Sequence, residues 1–278
     1  MKKPFLPFLV IGMTLFLMPG FAAPPLSTKE KSESASYIKE LKKTPVQHSR
    51  NRIGATSSLD KAFEGFFAAP PKIDIARLYY NKEQYAQLLE DEDFEEEMLY
   101  FPFTQSYERL KEETESKTSP EKSECKNLTL NERISLFVYT TQFFGLINPV
   151  LRNGTEEEKK LISPITAMIS SALKKIPPYT KQTVRGQEYA PYLDEYTPGK
   201  IVTIKTFLST SVPGSWFSKK LDEFPVIMEI TSKTGKDISP FSGHIEESEV
   251  LFDMNARFKV VEHKKNRSKT VITMVEVE

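Results

Sequence analysis

The sequence predicts an α+β fold, helical in its first half and strand-rich in its second. Two observations carry that prediction. Apolar residues recur at helical spacing up to Pro177-Pro178, and after Tyr179 they fall into short β-branched or aromatic runs separated by turn residues. A third observation removes the main rival: GxGxxG occurs nowhere in the 278 residues, which disfavours a doubly wound dinucleotide-binding fold. Hydrophobic residues make up 39% and charged residues 27%, enough for a real core in one large domain or two small ones. Formal net charge is zero, so nothing global argues for nucleic acid or an anionic membrane as partner.

The N-terminus begins with Lys2 and Lys3, then an apolar run from Phe5 to Met18, then small residues ending at Ala22-Ala23. That is the pattern of a secretory signal peptide over residues 1–23, cleaved near Ala22 or Ala23. The run is shorter than the roughly 20 residues that span a bilayer, which argues against the alternative of an uncleaved anchor. The expected product is secreted, with no stable membrane insertion after cleavage, and works as a monomer. Loss of Lys2 and Lys3 takes the basic residues from 38 to 36 against 38 acidic ones, a net of −2. Residues 24–70, rich in Ser and Lys and closed by Ala69-Pro70-Pro71, read as a linker or weakly ordered arm. The globular domain is expected over 71–278, with a helical part at 71–178 and a strand-rich core at 179–278.

Within the helical part, Tyr85, Leu88 and Leu89 give helical spacing over 81–89, and the acidic run from Glu90 to Glu97 reads as a solvated helix face or end. Residues 107–127 read as a polar loop. From Leu128 the pattern is strongest: Thr129 or Asn131 caps a helix burying Ile134, Phe137, Val138, Phe143 and Phe144. A second helix starts at Thr155, where Glu156, Glu157 and Glu158 suit an N-terminus, with a possible break at Pro164. Strands are expected at Val184, Ile201 to Phe207, Val226 to Ile230, Val250 to Phe252, Phe258 to Val261 and Val271 to Val277. Cys125 is the only cysteine, so no internal disulfide is available, and its polar surroundings read as incidental rather than nucleophilic. With no CxxC or HExxH and with His48, His244 and His263 far apart in sequence, no metal site is expected.

Three pieces of the strand-rich half stand out: Val184-Arg185-Gly186, Phe207-Leu208-Ser209-Thr210-Ser211, and the loop from Ser242 through His244, Glu247 and Glu249 into Val250-Leu251-Phe252. Singly, each is bland: a surface charge and a turn, a loop, and a solvated charge run. Glu247 and Glu249 are two apart, so in extended chain both point one way and Ser248 the other. In this order and spacing the three pieces resemble the arginine-type ADP-ribosyltransferases, the R-S-E group that includes bacterial toxins and vertebrate ecto-enzymes. The resemblance covers most of the chain after the arm and includes Ile147-Asn148 and Leu151-Arg152 of the helical half. It is strongest from Val184 to Val260.

That resemblance implies a helical half packed on a split core of two small mixed β-sheets. It also implies NAD⁺ as co-substrate, a protein arginine as acceptor, and a toxin or effector role. Breaking the bond from nicotinamide to the ribose C1 builds positive charge on the sugar, which a fixed carboxylate stabilises. Glu249 is similar to the family's catalytic glutamate, and Glu247 to the residue that engages the accepting group, where a carboxylate suits a guanidinium. Arg185 corresponds to the anchor for the phosphates of NAD⁺. Ser209 would orient Glu249, Thr210 and Ser211 would support the site, and Gly186 would offer backbone contact to the nicotinamide amide. His244 stands where many relatives carry an aromatic target contact, with Phe241 upstream as its substitute. Trp216 and Phe217 read as core or pocket wall. Two other readings stay open: an NAD⁺ glycohydrolase on the same fold, and a catalytically retired secreted binding protein.

Overall fold

Helix identity begins with aromatic spacing. In the computed structural model, which describes residues 57–79, 86, 106–117, 127–187, 193–266 and 269–277, Ser58–Ala68 is a helix (α1) burying Phe63, Phe66 and Phe67. Those three share one helical face and pack edge-on, at 5.2 and 5.3 Å between ring centroids. Residues 58–68, expected to belong to a linker or weakly ordered arm, are therefore helical, because three phenylalanines in one stripe have a core to enter. The residues expected as signal peptide, residues 24–56 of the arm, the acidic run at 90–97 and Cys125 lie outside the described residues, as does the helix at 81–89 apart from residue 86.

The helical layer continues with a single turn at Ala76–Tyr79 (α2) and a helix at Tyr107–Lys117 (α3). The latter replaces an expected loop: its polar composition hid Leu110 and Thr114, which are four apart and both buried. Leu130–Val138 (α4) starts at a capping box in which Thr129 accepts from the Glu132 backbone and Glu132 accepts from the Thr129 backbone. Asn131 is no cap; its amide donates to Asp60 and Glu64 of α1 and accepts from the Tyr107 hydroxyl. A π-helical turn, Tyr139–Phe143, then leads into Phe144–Asn153 (α5), and a second capping box, Thr155 with Glu158, opens Glu156–Lys175 (α6).

Two prolines sit inside helices without ending them. Each removes the N–H that its fourth preceding carbonyl needs. For Pro149 that carbonyl is Gly145's, and the Tyr79 hydroxyl donates to it at 2.7 Å. For Pro164 it is Lys160's, and Ser163 Oγ donates to it at 2.8 Å. The expected break at Pro164 is absent because the orphaned acceptor is satisfied locally.

Eight strands follow: β1 (Gln182–Gln187), β2 (Ile201–Ile204), β3 (Leu208–Ser211), β4 (Val226–Thr231), β5 (Lys236–Asp237), β6 (Glu249–Phe252), β7 (Ala256–Lys265) and β8 (Thr270–Val277). They run in the order β2-β7-β8-β4-β1-β3-β6-β5, antiparallel except for β4 beside β8. The split into two sheets appears as one continuous order, joined between β1 and β3 by the single registered pair Val184↔Ser211. Two hydrophobic clusters flank that junction. One lies in the helical layer and takes in Phe207, Ile238, Phe241 and Leu251; the other lies among the strands around Met228, Val250, Phe252 and Phe258. Ser58–Glu278 is thereby one compact unit, with a helical half and a mixed sheet as the α+β reading requires.

Glu132 ties this layer together. Its buried carboxylate accepts from the Thr129 backbone, from Ser171 Oγ at 2.7 Å and from Lys175 Nζ at 2.8 Å, linking the start of α4 to the end of α6. Glu132→Ala strands those donors and is expected to cost about 3 kcal/mol in urea unfolding. Glu156→Ala, which removes a solvent-exposed pair with Lys159, should stay within about 0.5 kcal/mol. Equal stability of the two variants would refute the assignment.

Candidate active site

β3 lies between β1 and β6, and Ser211 is opposite both Val184 and Glu249. Because successive strand residues alternate in direction, Ser209, Ser211, Glu249 and Leu251 share a face. Leu251 belongs to the helical cluster, so that face looks toward the helices. Thr210 and Val250 face the strand cluster, and the buried Thr210 Oγ1 donates to the Val250 carbonyl at 2.8 Å. Thr210 thus serves packing, Ser211 sits buried at the junction, and Ser209 is the hydroxyl presented to the site. Ser209-Thr210-Ser211 forms a strand of its own, since the chain leaves β2 after Ile204 to send Phe207 into the helical core.

Glu249 opens β6 and is 5% exposed. Burial pushes its carboxyl up to about 7; a hydrogen bond with the Ser209 side chain opposes the shift, Glu247 adds to it, and Arg185 opposes it. Arg185 projects from β1, and its Nη1 donates to the Ser209 carbonyl at 2.6 Å. Burial lowers its pKa, while Tyr139 and Glu249 favour the cation, which a guanidinium keeps. Its Nε is buried with no hydrogen-bond partner among the described residues. Beside it, Gly186 lies so close to Phe224 that a Cβ would fall 2.4 Å from the ring. Only glycine lets that ring cover the strand end.

The helical layer contributes residues to which the sequence reading assigned no role. Tyr139, in the π-turn, is buried and in electrostatic reach of Glu249 and Arg185; burial above all, with Glu249 adding, holds its hydroxyl protonated. That hydroxyl accepts from Asn148 Nδ2 at 3.1 Å, and its ring meets Phe207 edge-on at 5.5 Å. Asn148 Oδ1 is a second buried polar atom without a partner among the described residues. Arg152 acts electrostatically on Arg185 and on the buried Tyr196. Tyr139 and Tyr196 carry no local motif; Asn148 and Arg152 stood out only through the resemblance.

Glu247 reaches this region by a different route from the one expected. It ends a 3-10 turn, Ile245–Glu247, and Ser248 is left-handed at φ 49°, ψ 56°. The extended alternation from Glu247 to Glu249 is therefore absent, and the two carboxylates are brought into mutual electrostatic reach by a turn. Burial raises the Glu247 pKa, with His244 opposing and Glu246 adding. His244 flanks the turn, its Nδ1 3.9 Å from Glu246 Oε1. Phe241 is fully buried in the helical core and is no surface contact. Ile245, 68% exposed, is instead the apolar side chain at the turn's surface. Trp216 is also at the surface, 47% exposed, with Lys220 Nζ 3.8 Å above its ring, whereas Phe217 packs on Phe224 at 5.5 Å.

The arrangement brings within electrostatic reach of Tyr139 a desolvated carboxylate and a guanidinium with a spare buried donor, and Asn148, bonded to the same tyrosine, adds a spare amide acceptor. Such a set suits a substrate that is anionic at one end and develops positive charge at the other. Among the described residues no three His, Cys, Asp or Glu side chains gather as a metal site.

Comparison with known proteins agrees with the geometry. The family model described as NAD:arginine ADP-ribosyltransferase matches residues 75–278. NAD(+)–protein-arginine ADP-ribosyltransferase Tre1 of Serratia proteamaculans (strain 568) is 30% identical over 136 residues, 48% of this chain and 29% of that one. Tre1 of Pseudomonas putida (strain GB-1) is 34% identical over 164 residues, 58% of this chain and 31% of that one. The chain spans less than a third of the length of these curated relatives. The crystal structure of the type III effector XopAI from Xanthomonas axonopodis pv. citri superposes with a TM-score of 0.55 at 20% identity, covering 89% of this chain and 99% of that one, a likeness of fold.

An acid whose pKa is higher folded than unfolded binds its proton more tightly in the native state. Ionising Glu249 therefore costs stability as pH rises from about 4.5 to about 7. Relative to wild type, Glu249→Gln should gain on the order of 3 kcal/mol between pH 4.5 and pH 8. Urea unfolding at several pH values checks this; a stability difference that does not grow with pH would show an unshifted carboxyl.

Proposed function

Because the chain belongs to the NAD:arginine ADP-ribosyltransferase family, we propose that it transfers the ADP-ribose of NAD⁺ to a protein arginine, with Glu249 as the catalytic carboxylate. The observation that carries this reading is the buried Glu249 held by Ser209, whose own carbonyl holds Arg185. The bond between nicotinamide and the ribose C1 breaks, nicotinamide leaving with the bonding pair. Glu249 stabilises the charge that develops on the sugar, in a site from which water is largely excluded.

Arg185 anchors the phosphates, with Arg152 adding positive field, and the Arg185 Nε supplies a donor to which no described residue bonds. Gly186 borders the binding surface, Thr210 and Ser211 support it from the buried strands behind, and Ser209 orients the carboxylate. Glu247 binds the acceptor guanidinium and takes the proton released when its nitrogen bonds to C1; the burial that raises its pKa makes it the better base. His244 and the exposed Ile245 border the acceptor's approach. The same proposal has the protein exported by the apolar run at Phe5–Met18 and acting as a toxin or effector, without nucleic acid as partner, in keeping with a net charge of zero.

Incubation with NAD⁺ and an arginine analogue such as agmatine tests this. Wild type should form ADP-ribosylated agmatine; free ADP-ribose alone would mark a glycohydrolase, and no turnover a retired site. Glu249→Gln should lose about a thousandfold or more in kcat. Glu247→Gln should keep NAD⁺ hydrolysis while transfer falls, and equal losses would remove its assigned role. The rate should climb with pH through about 7 as Glu249 ionises; a flat profile from pH 5.5 to 8.5 would contradict the carboxylate's part.

A further inference from the structure

The loop between β5 and β6 carries Glu247 and is held at both ends by different parts of the molecule. On the β6 side the hold is strand-like: the Ser248 carbonyl accepts from Val212 N at 3.0 Å and the Glu249 carbonyl from Ile238 N at 3.0 Å. On the other side the hold comes from the helical layer. Thr140, in the π-turn and 9% exposed, donates from Oγ1 to the Phe137 carbonyl at 2.8 Å and accepts there from Gly243 N at 3.2 Å. Gly243 is pressed against the same turn: a Cβ on it would lie 3.2 Å from Thr141 Cγ2 and 3.5 Å from Phe137 Cε2. Next to it, His244 N donates to the buried Ser242 Oγ at 2.9 Å.

Between these two holds, Ile245–Glu247 projects outward, with Ile245 and Glu246 exposed. Glu249 does not depend on the Gly243 hold, because its strand pairs directly with β3. We propose that Thr140 is a positioning residue for the acceptor step: by taking the Gly243 N–H it fixes the turn that aims Glu247, and so sets how much ADP-ribose goes to arginine rather than to water. The proposal rests on the transferase reading above. It gives the π-turn a second duty, since its first residue, Tyr139, already faces Glu249 and Arg185. Such turns occur often at functional positions, where a widened helix redirects side chains.

Thr140→Val keeps the shape of the side chain and removes the acceptor; Thr140→Ser keeps the acceptor. In full-length protein given NAD⁺ and agmatine, Thr140→Val is expected to lower transfer about tenfold, the loss expected when one part-buried N–H goes unpaired. Hydrolysis of NAD⁺ should stay within about twofold, and Thr140→Ser should recover transfer to within about twofold. Gly243→Ala, whose added methyl crowds Thr141 Cγ2 and presses on the same contact, should lower transfer in preference to hydrolysis and serves if Thr140→Val does not fold. Parallel loss of both activities, unchanged transfer in Thr140→Val, or no recovery in Thr140→Ser overturns the proposal. A wild type inert toward NAD⁺ would instead overturn the transferase reading itself, so the two failures are distinguishable.

Discussion

Ser209 is held at two points, and the site depends on both. Its carbonyl receives the Arg185 guanidinium and its hydroxyl bonds Glu249, so one strand residue sets the distance between the cation and the buried acid. That is possible only because β3 runs between β1 and β6 with Ser211 opposite both Val184 and Glu249. A slip of one residue would turn Thr210 toward the helices and Ser209 into the strand core. The buried bond from Thr210 Oγ1 to the Val250 carbonyl resists that slip, as does Leu251 in the helical cluster. Register here is therefore a chemical quantity as much as a structural one.

The helical layer sends Tyr139 to the same site, and the layer itself is held together by hydroxyl groups. Tyr79 and Ser163 satisfy the carbonyls that Pro149 and Pro164 abandon, Thr129 and Thr155 cap helices, and Ser171 supports the buried Glu132. Each closes an account that an apolar side chain would leave open. The atoms left unmatched stand out against that background. Arg185 Nε and Asn148 Oδ1 are buried without a partner among the described residues, at a site where a substrate can complete them. On the sheet side, Glu276 is buried and fully used by the Lys233 and Thr234 backbone and the Thr234 hydroxyl.

Much of this was legible in the sequence, for identifiable reasons. The second half announced itself because β-branched runs and turn residues are local signals, and Arg185, Ser209 and Glu249 fall on strands within it. The two helix starts were visible for the same reason, Thr129 and the acids after Thr155 being local signals, while the capping boxes they form with Glu132 and Glu158 came from the structure. What was hidden needed partners far away in the chain. The α1 stripe of Phe63, Phe66 and Phe67 sat in a polar arm, and the polar α3 buries only Leu110 and Thr114. Glu247 was expected to reach Glu249 through extended chain, whereas a turn brings the two into electrostatic reach, since an αL residue at Ser248 has no signature that distinguishes it from extended chain. Tyr139 owes its place to a π-turn, which no periodicity of 3.6 foretells.

The burial of Glu249 also has a thermodynamic consequence for ligand binding. With a pKa of about 7, the empty site carries a proton for a good part of the time at neutral pH. A positively charged ring seated beside that carboxyl favours its ionised form, so association expels a fraction of a proton into solution. Affinity and protonation are then one linked equilibrium, and the heat of binding varies with the ionisation enthalpy of the buffer. A calorimetric titration repeated in two buffers at one pH would count that proton directly, and Glu249→Gln would erase the difference.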